Sequence, residues 1–142
     1  EGSKNRFTAE VIAETLRRTT LGAFKKGRAL NIEKSLKIGD SLDGHFVTGH
    51  VDARGEVTFK GVRRNGSMLT VKIPKKLLRF VAEKGSIALN GVSLTVTDKK
   101  GALVSVALTQ LTEAETNLGM LKKGDELNIE VDVLARYVNH VV

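Results

Sequence analysis

Two histidines in the segment GHFVTGH, positions 44–50, are the residues best suited to acid–base chemistry. Imidazole titrates near neutral pH, so His45 and His50 are each candidates to carry a proton, and a histidine pair can also bind a metal ion. In a straight strand their spacing of five residues puts them on opposite faces, unless Gly49 forms a bulge that redirects His50. With no cysteine in the chain and no third histidine nearby, we expect no metal site. The alternative for each histidine is an ordinary place on the surface.

A run of alternating hydroxyl and apolar residues, VSLTVT at positions 92–97, is the second candidate. In a strand, Ser93, Thr95 and Thr97 share one face, while the apolar side chains share the other face and point to the core. The hydroxyl face is either exposed to solvent or forms the floor of a polar ligand site, and the spacing alone favours solvent.

Asp132 follows the apolar segment LNIEV at positions 127–131 and can serve as the N-cap of a final helix. The chain contains no phosphate-binding loop, no dinucleotide-binding glycine motif, no serine-hydrolase elbow and no zinc-protease motif. These residues by themselves therefore indicate a small protein with a polar face, and they name no reaction.

An internal repeat defines the unit that carries these residues. TLRRTTLGAFKKGRALNIE at 15–33 and TEAETNLGMLKKGDELNIE at 112–130 are identical at 11 of 19 positions, at an offset of 97. So long a period indicates two tandem copies of a domain-sized unit rather than a solenoid. Residues 46–97 have no partner in the first copy, so the chain holds one full unit and about the last third of another. We expect residues 1–35 to be too short to close a core alone.

The full unit is predicted to be a small closed all-β barrel. Two Asn-Gly pairs, at 65–66 and 90–91, supply the turn residues of tight hairpins. Residues 74–85 change to helical spacing between Pro74 and Gly85, and 131–142 also form a helical pattern. The predicted strands are Glu56–Val62, Ser67–Ile73, Ser86–Leu89, Ser93–Thr97, Leu103–Leu108 and Glu126–Val131, with His45–Val51 as a further one.

The composition of the chain limits the kinds of partner that it is expected to bind. The chain has 142 residues, 41% of them hydrophobic and 27% charged, which is typical of a globular protein. A net charge of +7 is compatible with nucleic-acid binding, but the basic pairs are scattered and only six side chains are Phe or Tyr. We therefore expect that the protein does not bind nucleic acid. No apolar run approaches membrane length and residues 1–6 contain no signal-peptide core, so we expect no membrane anchor and a cytoplasmic location.

Several segments together resemble the riboflavin synthase family. They are LKIGDSLDGHFVTGHVD at 36–52, SIALNGVSLTV at 86–96, residues 112–119 and NIEVD at 128–132. The resemblance implies two similar six-stranded Greek-key barrels and a C-terminal helix, assembled as a homotrimer. In this chain, residues 1–36 would be the end of the N-terminal barrel, 37–132 the complete C-terminal barrel and 133–142 the helix.

The resemblance also implies a reaction and its residues. Two molecules of 6,7-dimethyl-8-ribityllumazine would exchange a four-carbon unit to give riboflavin and 5-amino-6-ribitylaminopyrimidinedione, without cofactor or metal. His50 would carry protons at the reacting methyl, with His45 a weaker candidate, and Asp132 would assist proton transfer or orient substrate. Ser93 would be the fourth catalytic residue and would also bind the substrate ring together with Thr95. The other substrate-binding residues would be Thr112 at the ring pocket, Asn90 in the hairpin and His50 at the reacting methyl.

Three functions remain open at this point. In the family each active site forms between the N-terminal barrel of one subunit and the C-terminal barrel of its neighbour, and the opening strands of the first barrel are absent from this sequence. The first alternative is therefore a relative, similar to the lumazine proteins, that binds lumazine or flavin without turnover. The second is a non-catalytic oligomerisation domain. Because Ser93, Thr95, both histidines and Asp132 are all present, the enzyme is favoured.

The C-terminal helix is predicted to mediate self-association. Large apolar or aromatic side chains crowd its ten residues, more than one small barrel readily covers: Val133, Leu134, Tyr137, Val138, Val141 and Val142. The alternative is that the helix packs back on its own barrel.

Overall fold

The computed structural model describes residues 2–3 and 6–141. Within them, β1 (Gly2–Ser3) and β2 (Arg6–Phe7) form a short antiparallel ribbon. Six further strands close into an antiparallel barrel with the order β3-β4-β7-β6-β5-β8. Their bounds are β3 Ala53–Arg63, β4 Gly66–Lys72, β5 Ser86–Leu89, β6 Val92–Lys100, β7 Leu103–Thr109 and β8 Glu126–Val131. The predicted all-β six-stranded barrel is therefore confirmed.

Short helices connect and extend the barrel. They are α1 (Ala13–Arg18), α2 (Gln110–Glu115) and α3 (Val133–Val141), with 3-10 helices at Thr20–Ala23, Lys75–Phe80 and Asn117–Met120. In the part of the chain that the structure describes, no helix is both long and apolar enough to cross a membrane.

Alternating side chains explain how β6 fits the barrel. Leu94 and Val96 are buried in the core, while Thr95 and Thr97 are exposed on the outer face, as the sequence predicts. The hairpin from β5 to β6 turns at Asn90 (φ 48°) and Gly91 (φ 81°), so the predicted Asn-Gly turn is also confirmed. The core that these strands enclose is aliphatic, with residues such as Leu69, Ile87 and Ile129 fully buried.

One predicted element is wrong, and another is present as a different type of helix. Residues 45–51 form no strand, because Gly44 just before the segment (φ 95°) and Gly49 within it (φ 79°) turn the backbone away from an extended course. The backbone N–H groups of Thr48 and Gly49 donate to the Glu130 carboxylate, where a strand would have donated to a neighbouring strand. The helix predicted in 74–85 is a 3-10 helix over Lys75–Phe80 rather than an α-helix.

The internal repeat is visible as repeated local structure. Adding 97 to the bounds of α1 and of its following 3-10 helix gives the bounds of α2 and of Asn117–Met120. The pairing of Gly2 with Phe7 in the ribbon corresponds, at the same offset, to the pairing of Lys99 with Val104 in the β6–β7 hairpin. Residues 29–34 align with β8 but form no strand. β8 is held by pairing with β3 and β5, and at the offset of 97 this chain has no counterparts of those two strands.

The two copies also contact each other reciprocally. The backbone N–H of Asn117 donates to Asn31 Oδ1 at 2.8 Å, and the backbone N–H of Thr20 donates to Asn128 Oδ1 at 2.8 Å. Under the offset of 97, Thr20 corresponds to position 117 and Asn31 to position 128. The two hydrogen bonds are therefore equivalent: in each, a backbone N–H of one copy donates to the corresponding asparagine of the other copy. These bonds hold the first copy against the barrel with local two-fold symmetry.

Candidate functional site

A cavity of about 780 Å³ lies between the β5–β6 hairpin and the segment before the barrel. Its volume falls within the range of small-molecule sites, about 300–1,000 Å³. The lining comes from 30–36, 41–43, 45–49 and 90–93, together with Glu115 and Thr116. His45 and Ser93 both line it. A second cavity of about 510 Å³, between the first copy and the barrel, shares only Asn90 with the predicted site residues.

Ser93 and His45 form the polar centre of the larger cavity. His45 Nδ1 lies 2.7 Å from Ser93 Oγ, and His45 Nε2 is buried without a hydrogen-bond partner among the described residues. The contact depends on Gly44, where a Cβ atom would lie 2.5 Å from Ser93 Oγ. This arrangement places a hydroxyl group and an imidazole side by side, so the cavity wall offers polar groups that can hydrogen-bond a polar ring.

His50 lies beside this cavity and does not line it. Its side chain is exposed, and its Nδ1 is 2.8 Å from Thr48 Oγ1. Asp132 precedes α3, where its Oδ1 accepts from the backbone N–H of Leu134 at 2.9 Å, as an N-cap does. The structure therefore joins two of the four predicted catalytic residues, Ser93 and His45, and gives the other two separate local partners. Their roles in catalysis stay predictions.

The other predicted binding residues have structural partners. Asn90 accepts from the backbone N–H of Asn128 at 2.8 Å and donates from Nδ2 to Asn117 Oδ1 at 3.0 Å. Thr112 shares a hydrogen bond of 2.9 Å with the hydroxyl of Thr109, the cap of α2. Thr95 is exposed on β6 and lies outside the lining of the cavity, as does Thr112. Binding of substrate by these residues stays a prediction.

Glu130 is the residue near the site that sequence reasoning missed. It is only 5% exposed, and its carboxylate accepts from the backbone N–H and hydroxyl of Thr48 and from the backbone N–H of Gly49. The signal that could have found it is the Asn-Ile-Glu sequence repeated at 31–33 and 128–130, where a charged residue interrupts an apolar pattern. Its contacts hold the histidine-bearing segment against β8.

Asp52 attaches the opposite end of this segment to α3. Its Oδ2 accepts from the backbone N–H of Val131 at 2.9 Å, and its Oδ1 forms an ion pair with Arg136 on α3. The side chain of Asp52 is 10% exposed, the lowest value for any member of the ion pairs that the structure describes, while that of Arg136 is 39% exposed. The segment that carries both histidines is thus fixed at Glu130 and at Asp52.

Comparison with known proteins identifies the barrel. The model of the lumazine binding domain matches residues 48–132. Riboflavin synthase of Brucella abortus is 41% identical over 138 residues, covering 96% of this chain and 68% of that protein. The chain belongs to the riboflavin synthase family. Two further family members, from Actinobacillus pleuropneumoniae and Mycobacterium tuberculosis, are each 39% identical, and 63% and 69% of their lengths are covered. The chain thus spans about two thirds of the length of these riboflavin synthases.

Solved structures share the family barrel. LumP complexed with riboflavin superposes with a TM-score of 0.78 at 25% identity, over 84% of this chain and 65% of that one. LumP complexed with 6,7-dimethyl-8-(1'-D-ribityl) lumazine gives a TM-score of 0.76 at 24% identity, over 84% and 64% of the two chains. The six-stranded barrel of this member of the riboflavin synthase family is therefore a lumazine-binding fold.

Proposed function

We propose that the complete protein is a riboflavin synthase. Two molecules of 6,7-dimethyl-8-ribityllumazine exchange a four-carbon unit, which yields riboflavin and 5-amino-6-ribitylaminopyrimidinedione with no added cofactor or metal. The observation that carries this proposal is the cavity beside Ser93 and His45, in a barrel whose relatives over 96% of the chain are riboflavin synthases. A cytoplasmic location stays a prediction.

The proposed reaction requires the protein to position two substrate molecules and to transfer protons. Ser93, with Thr95 beyond it on β6, is assigned to the heteroaromatic ring, so that the ring lies at a fixed distance from a second substrate molecule. His50 is assigned as the proton carrier for the acidic methyl group on C7 of the lumazine, with His45 as the weaker candidate. Asp132 and Thr112 are assigned supporting roles, Asp132 in orientation or proton transfer and Thr112 at the ring pocket.

The second candidate function is ligand binding without turnover. LumP, which has the same barrel, has been crystallised with riboflavin and with a lumazine. The resemblance places each active site between barrels of two subunits, and this chain contains one complete barrel. We therefore assign binding of one ligand to the larger cavity of this chain, where residues 30–36 face the barrel, and turnover to the complete protein.

Turnover distinguishes the two functions. The complete protein is incubated with 6,7-dimethyl-8-ribityllumazine in the presence of a chelator and without cofactors, and riboflavin is separated and quantified. We expect riboflavin and the pyrimidinedione in equal amounts, since two substrate molecules give one of each. Binding of the lumazine with no riboflavin formed would assign the protein to the binding class.

We also propose that α3 is an association surface between copies of the complete protein. Asp132 and the ion pair of Arg136 with Asp52 fix the start of the helix. Its apolar side chains remain open: Leu134 is 57% exposed, Tyr137 69%, Val138 59% and Val141 81%. An exposed apolar face of this kind marks an interface. The number three comes from the family resemblance, and Val142, also named in the sequence, lies outside the described residues.

Substitution on α3 tests the surface. Replacing Leu134 and Val138 together by serine is expected to convert a trimer into monomers, because two exposed apolar side chains leave the interface while the barrel core is untouched. Sedimentation velocity measures the change, and removal of residues 133–142 should reproduce it. If the doubly substituted, truncated and unchanged proteins sediment as one species, α3 packs on its own barrel and is not the association surface.

A further inference from the structure

A chain of hydrogen bonds leads from a buried carboxylate to the exposed histidine. Glu130 Oε1 lies 2.7 Å from both the backbone nitrogen and the hydroxyl oxygen of Thr48. The hydroxyl oxygen in turn lies 2.8 Å from His50 Nδ1. Glu130 is on β8, more than 80 positions along the sequence from Thr48. A strand of the barrel therefore holds the segment 45–51, which precedes the barrel, in place.

The donors and acceptors along this chain can be assigned by counting protons. The threonine hydroxyl has one proton and an acidic side chain that is ionised has none to give. Both oxygens of Glu130 also accept backbone N–H groups, which can only donate. The hydroxyl proton of Thr48 therefore points to Glu130, and the oxygen can only accept from His50. His50 must then carry its proton on Nδ1 and leave Nε2 unprotonated when the ring is neutral.

We propose that Glu130 is a positioning residue for His50, which it holds through the Thr48 hydroxyl in the Nδ1–H tautomer with Nε2 as the free base. The group that hydrogen-bonds one ring nitrogen sets which nitrogen is protonated. The catalytic consequence rests on the proposed function, because Nε2 would then be the atom that takes the proton from substrate. The tautomer itself is a property of this chain without ligand.

The exposure of the two groups supports this division of roles. Glu130 is 5% exposed and contacts no candidate ligand cavity directly, whereas His50 is exposed to solvent. A carboxylate that is withdrawn from the surface and saturated by three donors has no accessible site for substrate. It can act on the reaction only through the residues that it orients.

Nitrogen NMR of the histidine rings measures the tautomer in the 142-residue chain. At a pH where the ring of His50 is neutral, long-range proton–nitrogen spectra should show its Nδ1 protonated and its Nε2 unprotonated. Thr48→Val removes the hydroxyl at nearly constant volume and should shift His50 toward the Nε2–H form, and Thr48→Ser should restore Nδ1–H. His140 on α3 is the internal reference, and Thr97→Val on β6 is the matched control; neither His140 nor the control variant should show a change in tautomer.

Glu130→Gln tests the carboxylate itself. An amide cannot accept from all three donors, since one of its two ends carries N–H groups. Two of the three donors belong to Thr48, so the amide oxygen should face Thr48 and the amide nitrogen should face Gly49. The Thr48 hydroxyl then still donates to the side chain at position 130, and we expect His50 to keep its proton on Nδ1 without the negative charge. If Glu130→Gln does not fold, the comparison of Thr48→Val with Thr48→Ser decides the matter. A neutral His50 protonated on Nε2 in the unsubstituted chain, or a tautomer unchanged by Thr48→Val, would overturn the inference.

Activity separates this inference from the proposed function. In the complete protein, Thr48→Val should lower kcat by on the order of 100-fold, the lower end of a general acid–base contribution, with little change in KM. Thr48→Ser should retain the kcat of the unsubstituted protein. Absence of turnover in the unsubstituted protein, with the tautomer as expected, would contradict the proposed function alone. Full turnover with the Nε2–H tautomer would contradict the positioning role alone.

Discussion

Replacing Ser93 by leucine is expected to weaken binding of 6,7-dimethyl-8-ribityllumazine and of riboflavin by at least about 100-fold, or about 3 kcal/mol. Ser93 Oγ lies 2.7 Å from His45 Nδ1, and Gly44 approaches from the same side so closely that an added Cβ would be 2.5 Å away. A leucine side chain has no space toward this turn and must occupy the cavity. The ring of the ligand then loses both the space that it would occupy in the cavity and the hydroxyl group that it would hydrogen-bond.

Fluorescence titration of the 142-residue chain measures the effect. The matched control is Thr97→Leu, which adds similar bulk to the exposed face of the same strand, outside the lining of the cavity. The control should bind as the unsubstituted chain does, and both variants should unfold cooperatively. Equal affinity of Ser93→Leu and the unsubstituted chain would remove Ser93 from the binding site and leave the fold unaffected.

Replacing His50 by glutamine in the complete protein is expected to lower kcat by on the order of 10²–10⁴-fold, the usual contribution of a general acid–base group. Glutamine retains a polar side chain of similar length but cannot exchange a proton near neutral pH. Because His50 is exposed and its described hydrogen bond goes to Thr48, the barrel should keep its stability. The binding affinity for the lumazine should change by less than about threefold, since a proton carrier acts in the transition state.

His45→Gln and His140→Gln are the comparisons for this variant. His140 lies exposed in the last turn of α3, so its substitution should leave kcat unchanged. His45 lines the cavity and contacts Ser93, so its substitution should weaken binding more than it lowers kcat. A loss of kcat in His45→Gln that exceeds the loss in His50→Gln would reverse the assignment of the two histidines.

Strands with local signals were predictable from the sequence. β8 occupies Glu126–Val131, the bounds predicted from the sequence, and the Asn-Gly turn at 90–91 joins β5 to β6 as expected. Both signals are local, because an apolar strand-forming run and a turn with positive φ depend only on adjacent residues. The same locality accounts for the repeat, whose two copies form the same short helices.

Segment 45–51 shows where local signals fail. Its composition resembles a strand, yet its backbone is held by Glu130, more than 80 positions away, which no local pattern reveals. The contact of His45 with Ser93 likewise depends on the turn at Gly44, so the sequence could name both residues without predicting that they meet. Asn90 carried a turn signal and a family resemblance, but its amide is held by Asn117 and Asn128, again through contacts distant in sequence.

Mapping the ligand on the 142-residue chain shows whether the cavity beside Ser93 and His45 binds the lumazine. Backbone amide shifts are recorded during titration with 6,7-dimethyl-8-ribityllumazine. We expect saturable binding of one molecule, with the largest shifts at 91–95 and 44–50, around Ser93 and the two histidines. Shifts at 15–24, beside the second cavity, should be small. No saturable binding, or shifts centred on 15–24, would contradict the assignment of this barrel's ligand site to the cavity beside Ser93 and His45.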